Sequence, residues 1–282
     1  MKLLGIYRAA VFSPNMKDKD TAIMKAVSDK LKSFGYNVDC IEETYFSQIC
    51  RHGRRLECDA IFTMMRTYEA LDVLFEYQQN GIPAINPCEG INNAKRKNIT
   101  RIIIENDIPA PYTIFDLDEN QLDTIQYPCW IKRGEVWAQK KDDVAFAGDK
   151  TMAVKCVRNL KMKYGNENVM AVEHCKGDLV KFYGVEGTDF FYTYYPNPEQ
   201  SKFGLELING KPIGTTFDKI QLKTTCDRIA GLSKIYVYGG DCIIDENGTF
   251  KIIDFNDWPS FSACKEQAAI AIAERIRNEL GR

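Results

Sequence analysis

The amino-acid sequence predicts an α/β protein with α+β lobes, in which a Rossmann-like lobe comes first. Strand-like and helix-like segments alternate over the first 90 residues or so, which is typical of a small parallel sheet with helices on both sides. Near the carboxyl end, two short apolar runs flank Asp245 to Gly248 and predict an antiparallel hairpin. The chain has 282 residues, 45% of them hydrophobic, enough for one large core or two to three smaller ones.

The first lobe is predicted to contain four strands and two helices. The strand-like runs are Leu3 to Tyr7, Tyr36 to Ile41, Asp59 to Met65 and Ala84 to Asn86. A helix is expected from about Asp18 to Phe34, because its apolar residues recur at intervals of three and four before Gly35 ends it. A second helix is expected over Tyr68 to Gln79.

Two arginines follow strands of this lobe. Arg8 comes just after the first strand and Arg66 just after the third. Because open parallel sheets bind ligands at the carboxyl ends of their strands, we expect both side chains to face a crevice. A guanidinium group is suited to a carboxylate or a phosphate. The sequence therefore predicts a binding site for a small anionic acceptor, with Arg66 as a residue of the catalytic site.

The carboxyl-terminal hairpin carries three oxygen-bearing side chains. Asp241 opens its first strand, and Asp254 and Asn256 close the second. Counting from the turn places Asp241 nearly opposite Asp254, while Asp254 and Asn256 share a face. Two carboxylates repel unless a cation or proton lies between them, and an all-oxygen set suits Mg²⁺ together with nucleotide phosphates. An Asp that merely caps a turn is the alternative interpretation.

This hairpin resembles the metal-binding strands of ATP-grasp enzymes, in which an acidic residue stands about thirteen positions before an acidic-x-Asn pair. The segment IDFNDWPSF is most similar to the version in ATP-grasp inositol polyphosphate kinases, with Pro259 at the usual turn. Carboxylate–amine ligases are also similar. The resemblance implies an ATP-grasp fold, with ATP and Mg²⁺ as cofactors and with Asp241, Asp254 and Asn256 as metal ligands.

A second stretch, NPCEGINNAKRKNITRIIIENDIPAPYTIF, resembles the segment with which the ATP-grasp fold begins. The match implies that Lys97 is the first phosphate-binding lysine, on a helix from about Gly90 to Glu105. A lysine in a KRK run is otherwise an ordinary solvated side chain. The chain contains neither G-x-G-x-x-G nor G-x-x-x-x-G-K-[ST], so neither a dinucleotide motif nor a P-loop explains the nucleotide site.

A further lysine, Lys132, ends the apolar strand PCWIK, and the chain returns as a strand over Asp143 to Phe146. A cation at this position can reach phosphate oxygens, and neutralising them favours phosphoryl transfer. We therefore predict that Lys132 both binds the nucleotide and takes part in catalysis.

The middle of the chain is predicted to form the hinge between lobes. A helix over Lys150 to Tyr164 leads to strands at Asn168 to Cys175 and Asp178 to Gly187. The resemblance implies that backbone groups near Val172 to Cys175 bind adenine. The cofactor-binding set that follows from it is Glu173, His174, Cys175, Asp178 and Lys181.

The position of Lys181 on its strand also predicts a contact, independently of the resemblance. It stands between Val180 and Phe182 on a strand, where an unpaired ammonium group is unfavourable if that face is buried. We therefore expect it to meet an anion, either phosphate or acceptor, and count it among the catalytic residues. An outward-facing edge lysine is the alternative.

The remaining segments complete the predicted topology. Tyr192 to Pro198 is aromatic and proline-rich, and it fits either a loop at the acceptor mouth or a packed surface turn. A helix is expected over Phe217 to Ile235, and Cys264 to Leu280 is predicted as an amphipathic helix whose apolar stripe belongs to the core. The predicted division is an acceptor-side lobe (1–90), a lid subdomain (91–170) and a carboxyl-terminal subdomain with the metal hairpin (171–282).

Composition limits the possible partners. The net charge is −2 and the isoelectric point is about 5.9, so no overall basic field attracts nucleic acid or a membrane surface. Ten cysteines without a C-x-x-C pair indicate buried thiols in a reducing compartment. The opening MKLLGIYRAAVF is too short, and interrupted by Arg8, for a signal peptide, so the expected location is cytoplasmic.

These features predict an enzyme that transfers the γ-phosphoryl group of Mg-ATP to a small anionic acceptor. A carboxylate–amine ligase is favoured because most ATP-grasp enzymes activate a carboxylate. A kinase acting on an inositol phosphate or similar molecule is the first alternative. A catalytically inactive nucleotide-binding regulator is the second, and it is less favoured because no metal ligand is missing.

Overall fold

The computed structural model describes residues 1–13, 17–51, 53–135, 143–164, 169–196 and 208–281. Within these ranges the chain forms three four-stranded sheets. The predicted mixed α/β class is confirmed, and each sheet packs against helices. All ten cysteines are free thiols.

The first sheet is parallel, with strand order β2-β1-β3-β4, as the alternation of strands and helices predicts. Its strands are β1 (Lys2–Tyr7), β2 (Asn37–Glu42), β3 (Ala60–Thr63) and β4 (Ala84–Ile85). The helices between them are α1 (Lys17–Ser33), α2 (Glu43–Arg51) and α3 (Tyr68–Gln79). The sequence did not predict α2. Apart from Glu43 at its start, only Phe46 and Ser47 are buried, so the sequence lacks the repeated apolar residues that indicate a helix.

The next segment contains two helices where one was predicted, α4 (Cys88–Asn93) and α5 (Arg96–Glu105). Lys95 is extended (φ −63°, ψ 135°), so the helix breaks before Arg96. A break resets the direction in which the following side chains point, since each residue turns the helix by about 100°. Arg96 and Lys97 are consecutive residues of α5, so their side chains point about 100° apart, and the break sets the direction that each of them takes.

The second sheet is antiparallel and has strand order β5-β8-β6-β7. Its strands are β5 (Thr113–Ile114), β6 (Cys129–Arg133), β7 (Val144–Ala147) and β8 (Val169–Glu173), and α6 (Lys150–Tyr164) covers its apolar face. The predicted strand began at Asn168, which lies outside the described residues. The predicted lobe boundary at residue 170 falls within β8, and the division into lobes stays a prediction.

The third sheet is antiparallel, with order β10-β9-β11-β12. Its strands are β9 (Asp178–Val185), β10 (Phe191–Tyr194), β11 (Val237–Ile244) and β12 (Phe250–Asp257), with α7 (Lys219–Ser233) before the hairpin. Tyr192 to Tyr194, the first residues of the aromatic segment predicted as a loop or surface turn, thus belong to the edge strand β10, and residues 195 and 196 follow it outside the strand. Aromatic side chains suit a pleated, half-buried edge, and residues 197 and 198 of that segment lie outside the described ranges.

The hairpin of β11 and β12 has the predicted pairing, because Asp241 stands directly opposite Asp254. Asp245 accepts hydrogen bonds from the amides of Asn247 and Thr249, and Gly248 takes a positive φ of 79° that closes the turn. The strands approach closely at Gly240, where a Cβ atom would lie 2.2 Å from the carbonyl oxygen of Asp254. Glycine at this position therefore allows the metal hairpin to form.

The last helix, α8 (Lys265–Leu280), packs against α1 and joins the first and third sheets in one core. Ala268 and Ile272 are fully buried, and Ile276 is 2% exposed, so the apolar stripe is core as predicted. Among the described residues, none of the helices has the length and apolar character that crossing a membrane requires.

Candidate active site

Two cavities meet at one polar junction. The first, of about 170 Å³, lies between the second and third sheets, with apolar walls that include Val144, Val172 and Leu179. The second, of about 280 Å³, lies between the first and third sheets. Both are lined by Arg96, Asp241 and Asp254. A ligand in one cavity can therefore approach a ligand in the other across this cationic and carboxylate-lined junction.

Lys132, predicted as the second phosphate lysine, lines the first cavity beside Arg96. Burial and the neighbouring Arg96 guanidinium lower the pKa of Lys132 to about 8, while Asp254 and Asp241 act in the opposite direction. Burial also lowers the pKa of Arg96, against the effect of Asp254. Two cations that line one cavity this close together are suited to share a polyanion such as a triphosphate.

Lys97 lies elsewhere. Its Nζ atom is 2.6 Å from Asp116 Oδ1 and 3.3 Å from Glu135 Oε1, and Lys97 is not among the described residues that line either cavity. The residue before it, Arg96, occupies the junction instead, and its Nη1 donates to the carbonyl oxygen of Arg133 at 2.7 Å. The structure therefore places Arg96, and not Lys97, at the junction where the sequence predicts a phosphate-binding cation. The physical reason is the break between α4 and α5.

The three predicted metal ligands lie together. Asp241, Asp254 and Asn256 all line the second cavity, and the two carboxylates face each other across β11 and β12. No cluster of three or more His, Cys, Asp and Glu side chains that could hold a metal occurs in the described part of the chain. Two carboxylates and one amide oxygen nevertheless fit Mg²⁺, which binds through one or two carboxylates and completes its shell with water and phosphate oxygens.

Three predicted cofactor residues, Glu173, His174 and Cys175, line the first cavity at the end of β8. Burial would raise the pKa of Glu173, but hydrogen bonds from Lys251 and from the amide of Tyr112 outweigh it and lower the pKa. Burial lowers the pKa of His174, whose Nδ1 accepts a hydrogen bond from Trp130 Nε1 at 3.2 Å. Cys175 stays protonated, because burial raises its pKa to about 11.

Asp178 was predicted to contact the cofactor, but its carboxylate is engaged elsewhere. It accepts hydrogen bonds of 2.8 to 2.9 Å from the amides of Ile213, Gly214 and Thr215. The segment that it holds brings Asn209 into the wall of the first cavity, where Asn209 Nδ2 donates to the carbonyl oxygen of Cys175. Asp178 therefore supports the segment behind the cavity wall, and it is not among the described residues that line the first cavity.

Lys181 meets an anion, as predicted, but one supplied by the protein. Its Nζ atom lies 3.1 and 3.2 Å from the two carboxylate oxygens of Asp241, its neighbour across the β9–β11 pairing. Both side chains line the second cavity. The ion pair places a cation directly beside the predicted metal ligands.

The two predicted anion-binding arginines also line the second cavity, and both have protein partners. Arg8 donates to the carbonyl oxygens of Met64 and Trp258 and approaches Asp20. Arg66 pairs with Asp257, the two side chains being 8% and 0% exposed. Burial and Arg8 lower the pKa of Arg66 to about 10, so it remains charged at neutral pH. These contacts join the first lobe to the last residue of β12 and to the residue that follows it.

Replacing Arg66 with Ala is expected to destabilise the fold. The change leaves the Asp257 carboxylate buried without its partner, and breaking a buried ion pair in this way costs about 3–5 kcal/mol. Denaturant unfolding measures the loss. Adding Asp257→Ala to Arg66→Ala should recover part of it, because the uncompensated charge is removed. Loss of acceptor binding with unchanged unfolding free energy would show instead that Arg66 is a ligand residue.

Sequence reasoning missed Arg96, Trp130 and Asn209, although each lies in the first cavity. Trp130 stands two residues before Lys132 on β6 and shares its face, so strand alternation could have found it. Arg96 adjoins the predicted Lys97 and differs only in helical phase. Asn209 carried no signal, because its position depends on hydrogen bonds to residues more than 30 positions away.

The chain is similar to known proteins over nearly its whole length, although no family model matches it. It is 23% identical to a tetrahydromethanopterin:alpha-L-glutamate ligase of Methanocaldococcus jannaschii, over 99% of this chain and 97% of the relative. A RimK-domain ATP-grasp protein of Sphaerobacter thermophilus superposes with a TM-score of 0.71, at 16% identity, over 98% of this chain and 99% of that one. The D-alanine–D-alanine ligase of Bacillus anthracis complexed with ATP gives 0.63, at 14% identity, over 99% of both chains.

These similarities agree with the predicted class, an ATP-dependent enzyme of the ATP-grasp type, since two of the three proteins are named as ligases. The three-sheet architecture is the one that the resemblance implies. The predicted fold is confirmed: the chain has the ATP-grasp fold.

Proposed function

We propose that this chain is a Mg²⁺- and ATP-dependent carboxylate–amine ligase that activates a small acid as an acyl phosphate. The observation that carries the proposal is the junction of two cavities at Arg96, Asp241 and Asp254. A nucleotide in the first cavity presents its phosphates at this junction, and an acceptor in the second cavity meets them there. The ligase relatives support this class of reaction.

The first cavity is proposed to hold ATP. Its apolar walls, which include Val144, Leu179 and Ile253, suit a planar base, and the polar groups of residues 173–175 lie at its edge. Its other end presents Lys132 and Arg96. This polarity orients the nucleotide with its base between the two sheets and its phosphates at the junction.

Asp241, Asp254 and Asn256 are proposed to hold Mg²⁺. The bound ion supplies positive charge to the phosphate oxygens. Lys132 and Arg96, which line the same cavity as Asp241 and Asp254, would neutralise the same oxygens. Lys181 balances the charge of Asp241 at the edge of the second cavity.

The reaction has two steps. A carboxylate oxygen of the acceptor attacks the γ-phosphorus, and the bond between that phosphorus and the oxygen of ADP breaks. An amine nitrogen then attacks the acyl carbon, phosphate leaves with the carbon–oxygen bond pair, and the amine loses a proton. Lys132 and Arg96 stabilise charge that develops in the first step, since preorganised cations act most strongly in a partly desolvated site.

Charge in the second cavity favours this reaction over phosphorylation of an inositol polyphosphate. Five basic and four acidic side chains line the cavity, and Arg8, Arg66 and Lys181 each have a carboxylate partner. A polyphosphate needs a dense cluster of cations, and five basic against four acidic side chains leave little net positive charge in this cavity. A substrate with one or two negative charges is better matched to this nearly equal number of basic and acidic side chains.

The proposal is tested by product analysis. Purified protein is incubated with ATP, Mg²⁺, hydroxylamine and a panel of mono- and dicarboxylic acids, and both ADP and hydroxamate are measured. Acid-dependent ADP release with an equal yield of hydroxamate is expected, because hydroxylamine traps an acyl phosphate. Replacing hydroxylamine with L-glutamate should give an amide.

Two results would contradict the proposed ligase activity. A stable phosphorylated product with no hydroxamate marks a kinase, and binding of ATP without ADP release over the whole panel marks a nucleotide-binding regulator. Parallel assays with Asp254→Asn protein correct for contaminating ATPases, since that variant lacks a proposed metal ligand.

A further inference from the structure

The second cavity has a floor that is built in register across all four strands of the third sheet. Tyr194 on β10, Lys181 on β9, Asp241 on β11 and Asp254 on β12 stand side by side, each paired with the next. All four side chains line the cavity. We call this set the polar row. It runs from the proposed metal ligands to the aromatic edge strand.

The far end of the polar row carries a pair of tyrosine hydroxyls. The hydroxyl oxygens of Tyr194 and Tyr183 are 2.9 Å apart, and burial raises the pKa of both groups, so both keep their protons at neutral pH. A pair of hydroxyls has two hydrogens, and one is used within the pair. The other hydrogen remains available to an acceptor atom in the cavity.

The position of this pair is fixed by packing. Tyr183 is 9% exposed, and its ring lies 5.2 Å from that of Phe261 and 5.7 Å from that of Tyr194. A Cβ atom at residue 239 would lie 2.7 Å from Tyr183 Cδ1, so Gly239 leaves the space in which the ring lies over β11. The donor is therefore held in place before any ligand arrives.

Lys181 adds positive charge beside this donor, since it is the cross-strand neighbour of Tyr194. A hydroxyl donor next to an ammonium group is suited to a carboxylate, because hydrogen bonds to ionised groups are the stronger class. Between backbones, one strand spacing separates Lys181 from Asp241 and two separate it from Asp254, roughly 5–10 Å, while Lys181 Nζ itself reaches to 3.1 Å from Asp241 Oδ1. A short dicarboxylate spans that distance.

We propose that the acceptor is a short dicarboxylate: one carboxylate reacts at the junction, and Tyr194 together with Lys181 binds the other. The proposal rests on the proposed function for the identity of the reacting group. It adds the substrate class and assigns Tyr194 as a residue that determines specificity.

The test measures binding, so that it does not depend on turnover. Glutarate and its monoamide, glutaramate, are titrated calorimetrically into the full chain with Mg²⁺ and a non-hydrolysable ATP analogue. Glutarate should bind at least tenfold more tightly. Tyr194→Phe should remove most of this preference, about tenfold in affinity for glutarate, because one hydrogen bond to a charged group is lost.

Tyr192→Phe is the matched control. Tyr192 lies on the same strand with its ring 5.9 Å from that of Tyr194, yet it is not among the described residues that line the second cavity. The control should bind glutarate as the wild type does. Thermal unfolding of both variants shows whether the loss of one oxygen has altered the fold, and affinity for the ATP analogue shows whether the first cavity is intact.

Three results would overturn the inference: equal affinity for glutarate and glutaramate, no effect of Tyr194→Phe, or no binding of glutarate to the wild type. The same experiments distinguish this inference from the proposed ligase activity. If glutarate binds in a Tyr194-dependent manner while no acid gives hydroxamate, the dicarboxylate site is supported and the ligase activity is contradicted. If hydroxamate forms from monocarboxylates alone, the ligase activity is supported and the dicarboxylate site is contradicted.

Discussion

Asp254→Asn is expected to abolish ATP turnover while leaving the fold intact. Asp254 lines both cavities and stands opposite Asp241, so its charge lies at the junction where phosphate and metal are proposed to meet. An amide keeps the size of the side chain but removes that charge, and loss of one preorganised electrostatic group at a reacting centre costs about 100-fold or more in rate. ADP release under saturating ATP and Mg²⁺ measures the effect.

Asp245→Asn is the matched control for this variant. Asp245 lies in the same hairpin and undergoes the same chemical change, but it serves the turn, accepting hydrogen bonds of 2.9 Å from the amides of Asn247 and Thr249. Turnover should stay within about twofold of wild type, since Asn can also accept at such a turn. Equal activity of both variants would remove the hairpin carboxylates from the mechanism.

Lys132→Met is expected to weaken ATP binding at least tenfold. Lys132 lies in the first cavity beside Arg96, and loss of a hydrogen-bonded phosphate cation typically costs about 1.5–3 kcal/mol. Titration with an ATP analogue, followed by calorimetry, gives the affinity. The acceptor cavity is lined by other residues, so acceptor affinity should change much less.

Lys97→Met provides the contrast. The sequence motif assigns Lys97 to the phosphates, whereas the structure pairs it with Asp116 and Glu135. We expect ATP affinity to stay within about twofold of wild type in Lys97→Met and to fall in Arg96→Met as it does in Lys132→Met. A large loss in Lys97→Met with none in Arg96→Met would restore the assignment made from the motif.

The parts of the site that sequence could predict are those set by short-range geometry. Asp241 and Asp254 face each other because the number of residues on each side of the turn fixes the register of a hairpin. The parallel first sheet follows in the same way from the alternation of strands and helices. Lys132 follows from its place at the end of an apolar strand.

The parts that sequence could not predict depend on partners far along the chain. Arg66 has the expected position in the second cavity, but Asp257, which neutralises it, is 191 residues away. Asp178 lies on the predicted strand, but its carboxylate accepts hydrogen bonds from backbone amides that are 35 to 37 residues later in the chain. The choice between Arg96 and Lys97 depends on a single extended residue, Lys95, that no pattern marks.

The packing of α8 against α1 has a consequence for biosynthesis. The buried face of α1, with Ile23, Val27 and Leu31, is covered by a helix that the ribosome makes only after the rest of the described chain. During synthesis that face stays apolar and exposed, a condition that favours association with other chains and with chaperones. Because this contact joins segments nearly a full chain apart, it also raises the contact order and slows folding. The lobe that is translated first is thus among the last to reach its final form.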